Sequence, residues 1–175
     1  MIRKFDTHWV EEHLTSLVSP LLIAAQTAPK GRGVNTLEIV LVSGAEKDAL
    51  ADKMDEISRR ISAPFFSRDA QNIRHCFAVI LLSTDNSVRG LNCGYCGYAC
   101  CEEKPDTSPC VFNVTDLGIA MGSAVSTAMQ LKLDNRILYS AGKAAGELGF
   151  FTKNMPIIFA IPLSVSEKNI FFDRK

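Results

Sequence analysis

The chain carries no excess of charge, no long apolar run and almost no histidine, and each shortage closes off a class of function. Lysine plus arginine and aspartate plus glutamate each number 19 in 175 residues, and the basic residues are scattered. Nothing here forms the electrostatic footprint that nucleic acid or an anionic membrane surface requires. No apolar stretch reaches the roughly eighteen residues of a membrane span; the longest candidate, 14–28, is interrupted by Thr15, Ser16, Ser19, Pro20, Gln26 and Thr27. Asp6, Glu11 and Glu12 crowd the first residues and no small-residue cleavage site follows a clean apolar stretch, so a secretory leader is not expected and a cytoplasmic location is. His8, His13 and His75 lack metal-type spacing, and none lies near the main group of cysteines to mark a Cys/His catalytic pair. Internal repeats and low-complexity tracts are absent as well.

What remains is the composition of a globular domain: 47% hydrophobic and 22% charged residues exclude disordered and collagen-like classes. The length fits one domain over 1–175. Apolar spacing predicts a kinked or two-part helix from Val10 to near Ala28, with Ser19-Pro20 as its break. A loop of Pro29, Gly31 and Gly33 carrying Lys30 and Arg32 follows, then a strand over Leu37–Val42. Leu50, Met54, Ile57 and Ile61 mark an amphipathic helix stopped by Pro64. The unbroken apolar runs 77–82 and 155–163 predict strands covered on both faces, so that at least three strands would be central. Thr115 is placed to cap a helix with a core stripe of Leu117, Ala120, Ala124, Ala128 and Leu131. That helix carries a bare stripe of Gly118 and Gly122, and Gly142 and Gly146 repeat the spacing in a shorter helix. Interior glycines cost up to about 1 kcal/mol each against alanine, so tight packing, a flat ligand or a second subunit is expected beside them.

The loudest feature is five cysteines, Cys93, Cys96, Cys100, Cys101 and Cys110, within eighteen residues. Cysteines in a reducing compartment seldom form disulfides, and this density points to metal. Two cysteines separated by two residues can turn both sulfurs toward one centre. Gly94 and Gly97 remove side chains beside it and offer backbone N–H groups to sulfur, a known lever on iron-sulfur potentials. Four thiolates suit tetrahedral zinc or the four iron corners of a 4Fe-4S cluster, and the close third cysteine departs from the paired knuckles of structural zinc sites. Cys76, opening an apolar strand, reads as an ordinary buried thiol. Three acids, Glu102, Glu103 and Asp106, against Lys104 leave the loop net negative, which predicts a lowered potential.

The run C-G-x-C-G-x-x-x-C resembles the 4Fe-4S module of Rnf-type electron-transport ferredoxin subunits and of corrinoid iron-sulfur proteins. Cys93, Cys96 and Cys110 are the simplest ligands among the five, and the resemblance implies Cys101 as the third in the run, with Cys100 in reserve. Together with A-P-K-G-R-G-V-N-T-L-E at 28–38, R-D-A-Q-N-I-R at 68–74, D-L-G-I-A-M-G-S-A-V at 116–125 and K-N-I-F-F-D-R-K at the end, it resembles a family of uncharacterised ferredoxin-domain proteins with a fold like the FMN-dependent nitroreductases. The resemblance implies an α+β domain, a central mixed β-sheet flanked by helices, with the cysteine-rich loop 92–111 inserted between the second strand and the glycine-bearing helix. It further implies a homodimer, an FMN bound by Lys30, Arg32 and Asn35, with Lys30 and Arg32 meeting its phosphate, and an iron-sulfur electron-transfer protein or FMN-assisted oxidoreductase with an electron partner yet to be identified. The contrasting expectation is a metal-stapled binding or assembly module without catalysis. In the tail, Ile170, Phe171 and Phe172 are expected to anchor the chain on the body or a second subunit, and Arg174 and Lys175 to be solvated.

Overall fold

A computed structural model describes residues 2, 4–152 and 154–172; Arg174 and Lys175 lie outside them. The elements in order are α1 (Thr7–Glu12), α2 (Leu14–Thr27), β1 (Leu37–Val42), α3 (Gly44–Arg60), α4 (Pro64–His75), β2 (Ala78–Thr84), α5 (Val111–Gln130), β3 (Asp134–Asn135), α6 (Tyr139–Leu148) and β4 (Ile157–Ser164). The strands form one sheet in the order β1-β2-β4-β3.

Period-two alternation in β2 explains the layering. All seven of its residues are buried: Val79 and Leu81 point into a core with α3, α4 and α6, whereas Ile80 and Leu82 point into a second core with α2 and α5. The α+β architecture expected from the sequence is therefore present, as a helix-sheet-helix sandwich. Each pairing is antiparallel, so the sheet is not mixed. Only β2 and β4 are central, and β1 forms an edge whose four middle residues are half-buried.

Local chemistry moved several boundaries. The first helix breaks at His13, whose ring stacks on Trp9 at 4.0 Å, and not at Ser19-Pro20. Pro20 sits inside α2, where the Ser19 hydroxyl donates to the Thr15 carbonyl at 2.6 Å. Pro64 does not end α3 but opens α4, since its fixed φ and missing N–H suit a first helical turn. Likewise α5 begins four residues before Thr115, with Cys110 as its N-cap.

The two glycine stripes separate into different uses. A Cβ on Gly142 would stand 2.0 Å from the Ile158 carbonyl oxygen, so α6 lies directly on the backbone of β4. Gly118 and Gly122 have nothing within 4 Å of that position and lie on an exposed face of α5. At the C-terminal end, Phe171 is buried, while Phe172 is exposed with the Arg136 guanidinium 4.9 Å over its ring.

Candidate metal centre

Between β2 and α5 the chain runs from 85 to 110 with a single 3-10 turn, Cys101–Glu103, and its shape comes from residues in the left-handed region. Gly90, Gly94 and Gly97 have φ of 64°, 73° and 90°, values that cost glycine nothing, and Asn92 joins them at 45°. The Gly97 N–H donates to the Gly94 carbonyl at 3.0 Å, closing a turn around Cys96. Gly97 is thus needed for its φ, and its N–H is not free for sulfur as the sequence had suggested. Asn92 accepts from the Cys101 N–H at 2.8 Å, and fully buried Asn113 on α5 donates to the carbonyls of Asp85 at 3.0 Å and Ser87 at 2.7 Å. The start of the connection is thereby tied to the helix that follows its end.

All five clustered cysteines line one small cavity, with Arg89, Lys104 and the apolar side chains of Val88, Leu91 and Phe112. Among the described residues no histidine and no carboxylate lines it. The donor set is purely thiol, the soft type that suits iron-sulfur clusters or zinc, and in its chemistry it fits such a group. Among the described residues no three cysteine, histidine or carboxylate side chains close around one point as a single ion demands. Cys100 and Cys101 both face the cavity, so the reserve ligand stands beside the expected one. Cys76 lies apart, at the end of α4. Its Sγ donates to the Ile73 carbonyl at 3.1 Å, and burial pushes its thiol up to about 12.

Two buried cations belong to the cavity wall, and sequence reasoning missed their placement. The Arg89 side chain is 2% exposed; its Nη2 donates to Asp116 Oδ2 at 2.7 Å and Thr36 Oγ1 at 3.2 Å, and its Nε has no partner. Lys104 is 8% exposed and donates to the carbonyls of Ser108 at 2.7 Å and Pro105 at 3.2 Å. Among the described residues it pairs with no carboxylate. Glu102, Glu103 and Asp106, the acids that dominate the loop's charge count, face solvent.

The basic glycine loop lies against this wall but its donors are already engaged. The Lys30 ammonium donates to the carbonyls of Gln26 at 2.7 Å and Ala28 at 2.6 Å, capping α2 where the helix dipole favours a cation. Burial pushes this ammonium below its ordinary range, opposed in part by the Asp116 charge. The Gly31 N–H donates to both Asp116 oxygens at 3.0 Å, the Gly33 N–H donates to the Lys30 carbonyl, and Asn35 Oδ1 accepts from Leu37 N–H. Asp116 therefore fills the place an anion would take. Arg32, in the left-handed region at φ 58°, donates to the Arg89 carbonyl at 2.7 Å and is the one exposed cation of the three-residue set. The structure brings Arg32 to the cysteine loop, while Lys30 reaches the end of α2 and Asn35 the start of β1.

Comparison with known proteins bears on the fold and the family. Residues 106–174 match a family model described as "Uncharacterized protein containing a ferredoxin domain", a span that includes Cys110 and leaves out Cys93 to Cys101. An uncharacterized protein of Archaeoglobus fulgidus is 38% identical over 170 residues, covering 90% of both chains. Among solved structures, the nitroreductase CinD of Lactococcus lactis in complex with nicotinic acid superposes with a TM-score of 0.65 at 16% identity, over 87% of this chain and 78% of that one. A nitroreductase of Desulfitobacterium hafniense with bound FMN gives 0.58 at 15% identity, with the same two coverages of 87% and 78%. The fold is that of the nitroreductases, and the chain belongs to the family of uncharacterized proteins containing a ferredoxin domain.

Proposed function

We propose that this chain is an iron-sulfur redox protein, in which Cys93, Cys96, Cys101 and Cys110 hold a 4Fe-4S cluster that passes single electrons to and from a separate partner. The observation that carries this reading is the cavity wall of five thiols without any other ligand type. A zinc ion needs four sulfurs at about 2.3 Å from one point, whereas a four-iron cluster takes one thiolate per iron and spreads its ligands. Structural zinc sites present well-separated pairs of cysteines, and the close third cysteine of this run departs from that pattern, which favours the latter. The ferredoxin-domain family supports the same class of chemistry.

Oxygen-free purification followed by iron, sulfide and zinc analysis, visible absorption and electron-paramagnetic spectroscopy tests it. A brown protein with near-equal iron and sulfide is expected, and joint replacement of Cys93 and Cys96 by alanine should abolish both. Colourless protein with stoichiometric zinc overturns the reading. That outcome would favour the metal-stapled module, which draws support from the scarcity of regular structure between 85 and 110. A stapled module without redox function would lose the fold of this segment on chelation and show no redox transition.

The flavin half of the expectation rests on the fold and on neighbours that carry FMN. Around residues 30–35 a phosphate would find the Arg32 side chain and few free N–H groups. No step is therefore routed through a flavin, and flavin released on denaturation is the assay that would add one. A homodimer in the cytoplasm completes the reading. The exposed face of α5, with Val114, Ile119 and Met129 beside open Gly118 and Gly122, offers close approach to a second copy. All six cysteines are free, as a reducing compartment keeps them. No described helix is long and apolar enough to cross a membrane.

A further inference from the structure

We infer that Lys104 and Arg89 are the internal counter-charges of the cysteine cavity and raise the reduction potential of the centre it holds, against the effect of the acids on the same loop. This rests on the iron-sulfur reading above. Reduction adds one electron and one negative charge to the centre, with no bond made or broken. Whichever charges sit nearest in a poorly solvated setting decide how well that charge is tolerated. Counting residues along 92–111 suggests acid dominance, because Glu102, Glu103 and Asp106 outnumber Lys104. Placement reverses it: the acids face water, which screens them, while Lys104 and Arg89 are buried in the cavity wall.

Each cation is a buried residue of the cavity lining. Lys104 is bonded to two carbonyls of its own loop and to no carboxylate among the described residues, so its positive charge is not cancelled locally. Arg89 does have a carboxylate partner, but the pair is oriented. Arg89 lines the cavity and Asp116 does not, because Asp116 turns toward the Gly31 N–H. Its unpartnered Nε is a further donor left over by the protein's own hydrogen bonds.

The test is a dithionite titration of anaerobically reconstituted full-length protein, followed by visible absorption and electron-paramagnetic resonance. Wild-type iron and sulfide content is measured first, so that a protein without a cluster defeats the underlying reading before any variant is compared. Lys104→Gln should lower the midpoint by on the order of tenfold in the reduced-to-oxidised ratio, about 59 mV for a one-electron couple. Lys104→Arg should stay at the wild-type value, and Glu102→Gln with Glu103→Gln should move it much less. The double variant Arg89→Gln/Asp116→Asn, which strands no buried carboxylate, should also shift downward. An unchanged midpoint in Lys104→Gln, or an equal shift from the exposed acids, overturns the inference. If Lys104→Gln fails to load iron while Lys104→Arg loads normally, the counter-charge is supported; equal failure of both refutes it in favour of a purely steric role.

Discussion

Asp116 and Arg89 meet at 2.7 Å with 5% and 2% of their side chains exposed, joining the first turns of α5 to the cysteine loop. Because the same carboxylate also accepts from the Gly31 N–H, one residue holds together the two loops on which every proposed chemistry depends. Asp116→Ala leaves a buried guanidinium without its partner and should cost about 3–5 kcal/mol. Replacing both members by apolar residues should recover much of that loss. Urea unfolding of the single and double variants measures it, and equal losses in both would show that packing rather than charge holds the junction.

The glycine stripes give a contrast. Gly142→Ala places a methyl group on the Ile158 carbonyl and should destabilise by 3 kcal/mol or more, on the order of severe overpacking. Gly118→Ala and Gly122→Ala meet open space and should each stabilise an isolated monomer by up to about 1 kcal/mol. If α5 is the homodimer face, the same substitutions should instead weaken association in sedimentation experiments.

Lys30 is expected to act on stability. Lys30→Met removes the donor from the last carbonyls of α2 and should lower stability by about 1 kcal/mol. The flavin content of the purified protein should be the same as that of wild type. A loss of flavin without a loss of stability would return Lys30 to the phosphate role.

Much of this was legible in advance. The unbroken apolar runs located β2 and β4, and the cysteine spacing located the cavity. Lys30, Arg32 and Asn35 were recognised as polar residues in a turn, but which donors a turn spends on itself depends on a carboxylate 85 residues away. Asp116 carried one signal, an acid beside the core stripe of a helix, where its neighbours Leu117 and Ala120 are buried. Arg89 had none, because a single arginine in an irregular segment reads the same whether it faces water or a cavity. The early start of α5 was missed because an N-cap residue such as threonine is a stronger sequence mark than cysteine.

Thiol accessibility should divide the cysteines unequally. With its thiol pushed up to about 12 and 4% of its surface exposed, Cys76 should resist iodoacetamide at neutral pH in folded protein and react only on unfolding. The half-buried Cys93, Cys96, Cys100 and Cys101 should be alkylated in metal-free protein and protected once the cluster is assembled, while buried Cys110 should react more slowly than these four. Peptide mass spectrometry reads each site separately.

Acid should weaken the helical layer of α3, α4 and α6. Burial pushes the Asp55 carboxyl up, but hydrogen bonds from Ser67 and Arg74 and the charges of Arg74 and Arg59 outweigh it and hold the group below its usual range. The Arg60 guanidinium, by hydrogen bond and charge, does the same for Glu147. A depressed carboxylate contributes stability that is present above its unfolded value, near about 4, and is lost as pH falls through the folded one. Unfolding temperatures should therefore drop below pH 4 in wild type and less steeply in Asp55→Asn. Identical acid slopes would remove Asp55 from the account.

Cys110 is both the last sulfur of the cavity and the residue from which a twenty-residue helix sets out. A helix of that length is a stiff rod of about 30 Å. Cys110 at one end and the exposed Met129 and Leu131 at the other are thus fixed to a single rigid element, so the position of that sulfur and the orientation of that surface are set together.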